Sequence, residues 1–186
     1  RIWKELSRAL TYQSPSRFFH VLAACDANRK LWPEISTASL QNLDKVSRHT
    51  DNPVFRLAAC LQPLSHHDCT SLIQRLHVPN NFSKIAQLVN QQFANFNQLD
   101  ITQPLVIHDF LQKTGALRQT GLFNELCYIC DLITETNDNI KILTLQKCAQ
   151  AANDVSSQTL QDQGLTGLDF AKALAKLQIE AIDNCL

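Results

Sequence analysis

Apolar residues recur at three- and four-residue intervals along nearly the whole chain, and nowhere do they alternate for long enough to make a strand. That pattern restricts the fold to helix packed on helix. Ile2, Leu6, Ala9 and Leu10 form one stripe; Phe18, Leu22 and Cys25, with Phe19 and Ala23 beside them, form a second. Ser14–Pro15 and Asn52–Pro53 read as helix starts, with the proline at the first helical position where its missing N–H costs nothing. The second start leads into Val54, Leu57, Ala58 and Leu61, and Pro63 stops that helix. Further helices are predicted over about 68–77, 80–97, 103–113, 119–134 and 138–157, with Gly115 and Gly164 as C-terminal caps. A last helix, Leu168–Asn184, follows the turn G-L-T-G with Leu168, Ala171, Ala175, Ile179 and Ile182 along one side. The predicted class is all-α, an irregular array of short to medium helices without an internal repeat.

A chain of 186 residues, 45% of them hydrophobic, can bury one large helical core or two small ones. It contains no Met and opens inside a helical pattern, which reads as the back half of something larger. No apolar run approaches the roughly 20 residues of a membrane span, and no signal-peptide pattern is present. The expected setting is soluble and cytoplasmic, with no membrane partner. Seven cysteines, Cys25, Cys60, Cys69, Cys127, Cys130, Cys148 and Cys185, lie among apolar neighbours and suit free thiols in a reducing compartment. Cys127 and Cys130 form a C-x-x-C, but no second pair completes a zinc site; the spacing puts both on the apolar face of Phe123, Leu126 and Ile133.

The net charge is zero, but residues 1 to 56 carry nine Lys or Arg against five Asp or Glu, while residues 57 to 186 carry eight against twelve. The N-terminal third is therefore the better place for a polyanion. His66-His67-Asp68 and His108-Asp109 are adjacent potential ligands with no partner pattern elsewhere, and they read as a helix cap by Asp68 and as surface or core histidines. Trp3, next to the first stripe, and Trp32, before Pro33, read as core rather than as base-stacking platforms. Glu5 is placed to brace the first helix against a neighbouring Arg.

Arg1, Ile2, Glu5 and Leu6, then the pair Phe18-Phe19, then Leu31, Pro33 and Glu34 follow an R-(I/V)-x-x-E-L helix, a paired-Phe helix and an L-x-P-E stop in order. This sequence of motifs resembles the neck-to-body segment of bacterial tRNA nucleotidyltransferases, the CCA-adding enzymes, and of the related poly(A) polymerases. RLHVPNNFSKIAQLV resembles their body helix pair, and GLTGLDFAKALAKLQIEAI resembles their tail. The resemblance implies three segments: neck and body RNA-binding helices over 1–50, a helical body with a degenerate His-Asp-type region over 51–157, and a tail helix over 158–186. In that family a catalytic head uses a D-x-D pair to hold Mg²⁺ for transfer from CTP and ATP. No D-x-D occurs in this chain, so catalytic residues and cofactors are expected in a missing head and none in this segment.

Some relatives carry a phosphohydrolase helix, R-x-A-A-L-x-H-D-L-G. Here Arg56 to Leu64 read R-L-A-A-C-L-Q-P-L, with Gln62 and Pro63 in place of the His-Asp ligands, so that activity is expected to be lost and no metal site to remain. The resemblance implies a segment that grips tRNA by A-form shape and phosphate contacts. The cations carried forward for this are Arg1, Lys4, Arg8, Arg17, Arg29 and Lys30, with Lys172 and Lys176 on the tail helix. The expected function is the tRNA-binding C-terminal part of a CCA-adding enzyme, inactive alone. The alternatives are the same part of a poly(A) polymerase, or a helical interaction module that has lost its head. The oligomeric state stays open.

Overall fold

The computed structural model describes residues 2–136, 138–158, 160 and 164–186. The chain is all-α, and no strand occurs among the described residues. In chain order the helices are α1 (Ile2–Ala9), α2 (Ser16–Ala24), α3 (Asn28–Leu31), α4 (Thr37–Ser47), α5 (Pro53–Leu61), α6 (His66–Leu76), α7 (Asn80–Gln98), α8 (Pro104–Lys113), α9 (Thr120–Thr134), α10 (Asn139–Asn153) and α11 (Gly167–Asp183). Two compact units result: unit 1 comprises residues 1–94 and 125–137, unit 2 residues 95–124 and 138–186.

Unit 1 is built around α5, which is buried from Arg56 through Leu61. Asn52 caps it by accepting from the Val54 amide at 2.9 Å, and Pro53 opens the first turn, as the sequence predicts. Leu6, Leu10, Phe19, Trp32, Ile35, Leu57, Cys60, Leu61 and Leu72 close over one another and leave no room for a water. Trp32, only 1% exposed, meets Phe19 and Phe18 edge-on at 5.9 and 6.5 Å. Trp3 is half-buried against Phe82 at 4.9 Å, so both tryptophans pack against aromatic neighbours.

The inward face of α2 differs from the predicted stripe. Phe19 is the buried member, Phe18 is half-buried, and Cys25 is exposed, because Trp32 docks on the side that Phe19 occupies. Ile2, at 45% exposure, also leaves its stripe. Pro15 stands one place earlier than predicted, as the N-cap of α2 rather than its first residue. Helix α4 has no counterpart in the periodicity reading: its first turn is Thr37, Ala38 and Ser39, and its start is fixed by a Ser36/Ser39 capping box instead of an apolar stripe. Short α3 was hidden for the same lack of pattern. Ser65, not Asp68, caps α6: its hydroxyl accepts from the Asp68 amide at 3.1 Å and donates to the Asp68 carboxylate at 2.7 Å.

Unit 2 packs α8, α10 and α11 around Ile107, Leu111, Leu145, Cys148, Ala149 and Ile182, with Phe96, Phe110 and Phe123 in a chain of ring contacts at 6.3 and 6.2 Å. Gly115, at φ +71°, ends α8 with the Gly115 amide on Gln112 and the Ala116 amide on Leu111, a Schellman closure that only a residue tolerant of positive φ makes without strain. On α11 the predicted stripe fails at its start: Leu168 is 79% exposed and Ala171 is exposed, whereas Ile182 is fully buried. A helix can carry an apolar row beyond the turns that find something to pack on. No helix of the described residues is long and apolar enough to cross a membrane.

Candidate nucleic-acid interface

The segment from Arg56 to Leu64, expected from the sequence to be a degenerate phosphohydrolase helix, ends among amides. Gln62 caps the C-terminus of α5, and its Oε1 accepts from Asn42 Nδ2 at 2.9 Å. Asn90 Nδ2 lies 3.2, 3.1 and 2.8 Å from the carbonyls of Leu61, Gln62 and Leu64, closing the helix end. These groups supply neutral donors and acceptors, not metal ligands. His66 and His67 are exposed; His66 Nδ1 faces Gln91 at 3.5 Å. His108 is buried and bonds through Nε2 to Gln178 Oε1 at 3.1 Å, while Asp109 points outward. Among the described residues no group of three His, Cys, Asp or Glu could hold a metal ion, so the residues present do not fit a two-metal centre.

Arg56, 3% exposed, is the most connected cation. Its Nε donates to Thr50 O at 2.7 Å, Nη1 to Leu10 O and Tyr12 O at 2.6 and 2.7 Å, and Nη2 to Ser47 O at 3.3 Å. One guanidinium thereby satisfies carbonyls at and just past the ends of α1 and α4, where the helix dipole also favours a cation. Burial pushes its pKa down, and Asp51 works against that. Lys45 serves α9 in the same way, donating to Ile133 O at 2.9 Å and pairing with Glu135 at 3.3 Å; Arg48 pairs with the same carboxylate at 3.3 Å. Arg75 grips Glu34 through both oxygens, at 2.7 and 3.0 Å, and Leu31 O at 3.1 Å. Burial alone would raise the Glu34 pKa, but the Arg75 hydrogen bond and charge bring it below the ordinary value. The L-x-P-E stop is thus a docking point for α6.

The sequence-selected cations fall in several places. Arg1 lies outside the described residues. Lys4 and Arg8 are exposed one turn apart on α1 and line a cleft of about 650 Å³ with Trp3, Thr11, Pro53 and Phe82. Arg8 also lies over the Tyr12 ring at 6.0 Å. Glu5, in that cleft, makes no ion pair with another described residue. Arg17 is exposed at the start of α2, between an apolar groove that includes Tyr12, Phe18 and Val21 and a polar cleft that includes His20 and Arg48. Arg29 and Lys30 are exposed on α3, and Arg29 faces Asp26 at 3.7 Å. Lys172 and Lys176 are exposed on α11 in unit 2, Lys176 near Glu180 at 3.9 Å. Sequence reasoning missed His20 and Arg48, whose convergence with Arg17 comes from α2 packing beside α4 and leaves no local pattern.

None of the cysteines forms a disulfide: Cys60, Cys69, Cys127, Cys130 and Cys148 are buried, Cys185 is half-buried with its Sγ 3.5 Å from that of Cys148, and Cys25 is exposed. Burial pushes Cys60 up to about 12 and Cys69 up to about 11.

The described residues thus form small all-helical units that carry exposed cations and bring together no metal-ligand group. It is 37% identical over 187 residues to the CCA-adding enzymes of two Coxiella burnetii strains, a match covering 98% of this chain and 49% of the relative. It is 29% identical to the CCA-adding enzyme of Pseudomonas putida strain F1, over 98% of this chain and 51% of that one, and 26% identical to the multifunctional CCA protein of Shewanella denitrificans. The chain belongs to the CCA-adding enzyme family. It spans about half the length of the curated relatives it matches. No family model and no solved structure matches it.

Proposed function

We propose that this chain is the tRNA-gripping, non-catalytic part of a cytoplasmic CCA-adding tRNA nucleotidyltransferase, holding the acceptor end for a head domain that carries Mg²⁺, CTP and ATP. The observation that carries the reading is the match of 98% of the chain to half of enzymes named for CCA addition, joined to the absence of any D-x-D in its 186 residues. The names of these relatives favour tRNA over the messenger RNA of a poly(A) polymerase. Exposed Lys4, Arg8, Arg17, Arg29 and Lys30 supply phosphate contacts to an A-form surface, with Lys172 and Lys176 a second group. The neck, body and tail segments, 1–50, 51–157 and 158–186, are part of this proposal.

The test is a titration of tRNA lacking its 3′ CCA at two salt concentrations, beside single-stranded RNA of equal length. Tighter binding of tRNA that weakens with salt supports the reading. Equal affinity for both RNAs overturns tRNA recognition, and no binding at low salt leaves the helical interaction module. Incorporation of CTP or ATP by this chain alone overturns its assignment as non-catalytic.

A further inference from the structure

Cys148 and Cys185 bring their sulfurs to 3.5 Å where α10 packs on α11, both within unit 2. Cys148 is fully buried on the face of α10 that also carries Leu145, Ala149 and Ala152. Cys185 is half-buried just past the end of α11, where its amide donates to Ile182 O at 3.1 Å. The two helices run in opposite directions here. Gln178 Nε2 holds Ala152 O at 3.3 Å, and beyond the end of α11 the contact has moved back along α10 to Cys148. A disulfide places its sulfurs at about 2.05 Å, so about 1.5 Å of approach closes the pair. That movement falls on a residue outside the helix, and neither helix has to slide. Burial, then the hydrogen bond and charge of Cys185, push the Cys148 thiol up to about 12, so it keeps its proton at neutral pH. The sulfur that a small oxidant reaches first is therefore the half-buried Cys185.

We propose that Cys148 and Cys185 are a redox-active dithiol, which hydrogen peroxide oxidises to a disulfide that staples the end of α11 to α10. In the first step the Cys185 thiolate attacks one peroxide oxygen. The O–O bond breaks, an S–O bond forms, and the departing hydroxide takes up a proton, leaving a sulfenic acid and water. The Cys148 sulfur then attacks the Cys185 sulfur. The S–S bond forms, the S–O bond breaks, and the Cys148 proton leaves with that oxygen as a second water. The two thiols give up two electrons and two protons, and one peroxide becomes two waters. In a reducing compartment such a bridge is transient and reports oxidant, because thiol exchange reopens it. While it lasts it closes the chain from Cys148 to Cys185 into a loop and restrains the helix that carries Lys172 and Lys176. The inference is independent of the function proposed above.

The test uses the full chain with Cys25→Ser, so that the exposed thiol cannot join two chains. The reduced protein is treated with hydrogen peroxide, alkylated in denaturant, digested and weighed by mass spectrometry. The expected product is a peptide pair joined through Cys148 and Cys185 and lacking two hydrogens, with Cys60, Cys69, Cys127 and Cys130 alkylated and the bridge opened by dithiothreitol. Alkylation of both Cys148 and Cys185 after peroxide, or a bridge from either to another cysteine, overturns the pairing. In a second arm, Cys148→Ala is expected to leave a sulfenic acid on Cys185 that dimedone traps, and Cys185→Ala to leave Cys148 unoxidised. Oxidation of Cys148 in the Cys185→Ala chain overturns the order of attack, and this holds whether or not Cys148→Ala folds. The staple itself is read by hydrogen–deuterium exchange. Amides of α11 are expected to exchange about tenfold more slowly in the oxidised chain than in the reduced one. A bridged chain whose α11 exchanges as before overturns the staple.

Discussion

Unit 1 relies on cations to close its helix ends more than unit 2 does, although Asn90 closes α5 in unit 1 and Lys141 reaches Asn97 O at 3.4 Å in unit 2. In unit 1 carbonyls at or just past the C-terminal ends of α1, α3, α4 and α9 are gripped by Arg56, Arg75 and Lys45. In unit 2 the links are mostly neutral: His108 to Gln178, Gln178 Nε2 to Ala152 O at 3.3 Å, Gln146 to Asn124 at 3.2 Å, and Asn153 to Ala116 O at 3.5 Å, with Lys141 over Phe96 at 4.8 Å a cationic exception. The difference changes what the charge count means. The basic excess of residues 1 to 56 includes Arg56, which is buried, and Lys45, which is held between Ile133 O and Glu135. Part of an apparently polyanion-seeking surface is therefore internal fastening. The exposed cations of that stretch that form no ion pair among the described residues are fewer, and they include Lys4, Arg8, Arg17 and Lys30.

The comparison breaks most severely at Arg56. Arg56→Met strands carbonyls at two helix ends and is expected to cost about 4 kcal/mol. Trp3 and Trp32 both lie in unit 1, so tryptophan fluorescence during urea unfolding reads this loss directly. An Arg56→Met chain as stable as the parent would show that the clasp is dispensable.

Alkaline pH probes what both units share, their buried thiols. Cys60 and Cys69 have folded pKa values above the unfolded value, so their stabilisation is complete below about pH 8.5 and is lost as pH rises toward 11 to 12. Between pH 9 and 10 each costs roughly 1.4 kcal/mol, and Cys60→Ala should flatten the decline. Alkylation at pH 8 should mark Cys25 first and leave Cys60 until the chain unfolds.

The neutral fastening of unit 2 is sharpened by a double-mutant cycle on His108 and Gln178. Each single change to Leu is expected to cost about 1.5 kcal/mol by orphaning its partner, and the double change less than their sum. Strict additivity would remove the pair from the account of unit 2.

The smallest effect belongs to Glu34 and Arg75. Because the Glu34 pKa is depressed, its contribution is present above the ordinary carboxylate range and is lost as pH falls through the folded value. Glu34→Gln should remove about 0.5 kcal/mol at pH 7 and almost none at pH 3, by urea midpoint, since Arg75 is 41% exposed and solvent screens the pair.

The sequence by itself determined the all-α class, the starts and stops marked by Asn52-Pro53 and Gly115, the lack of a D-x-D, and the family. Those are properties of spacing and residue type within a turn or two, which is the range over which a helix signals itself. Tertiary structure alone decided that Phe19 is buried while Phe18 stays half-buried, that Leu168 stays outside while Ile182 goes in, and that a polar stretch at 37–47 becomes a helix against α5. It also decided which cations are fasteners and which stand free. Arg56 reaches Leu10, 46 residues away, and Ser16 meets Arg48 across a cleft, because packing joins positions that no local period connects.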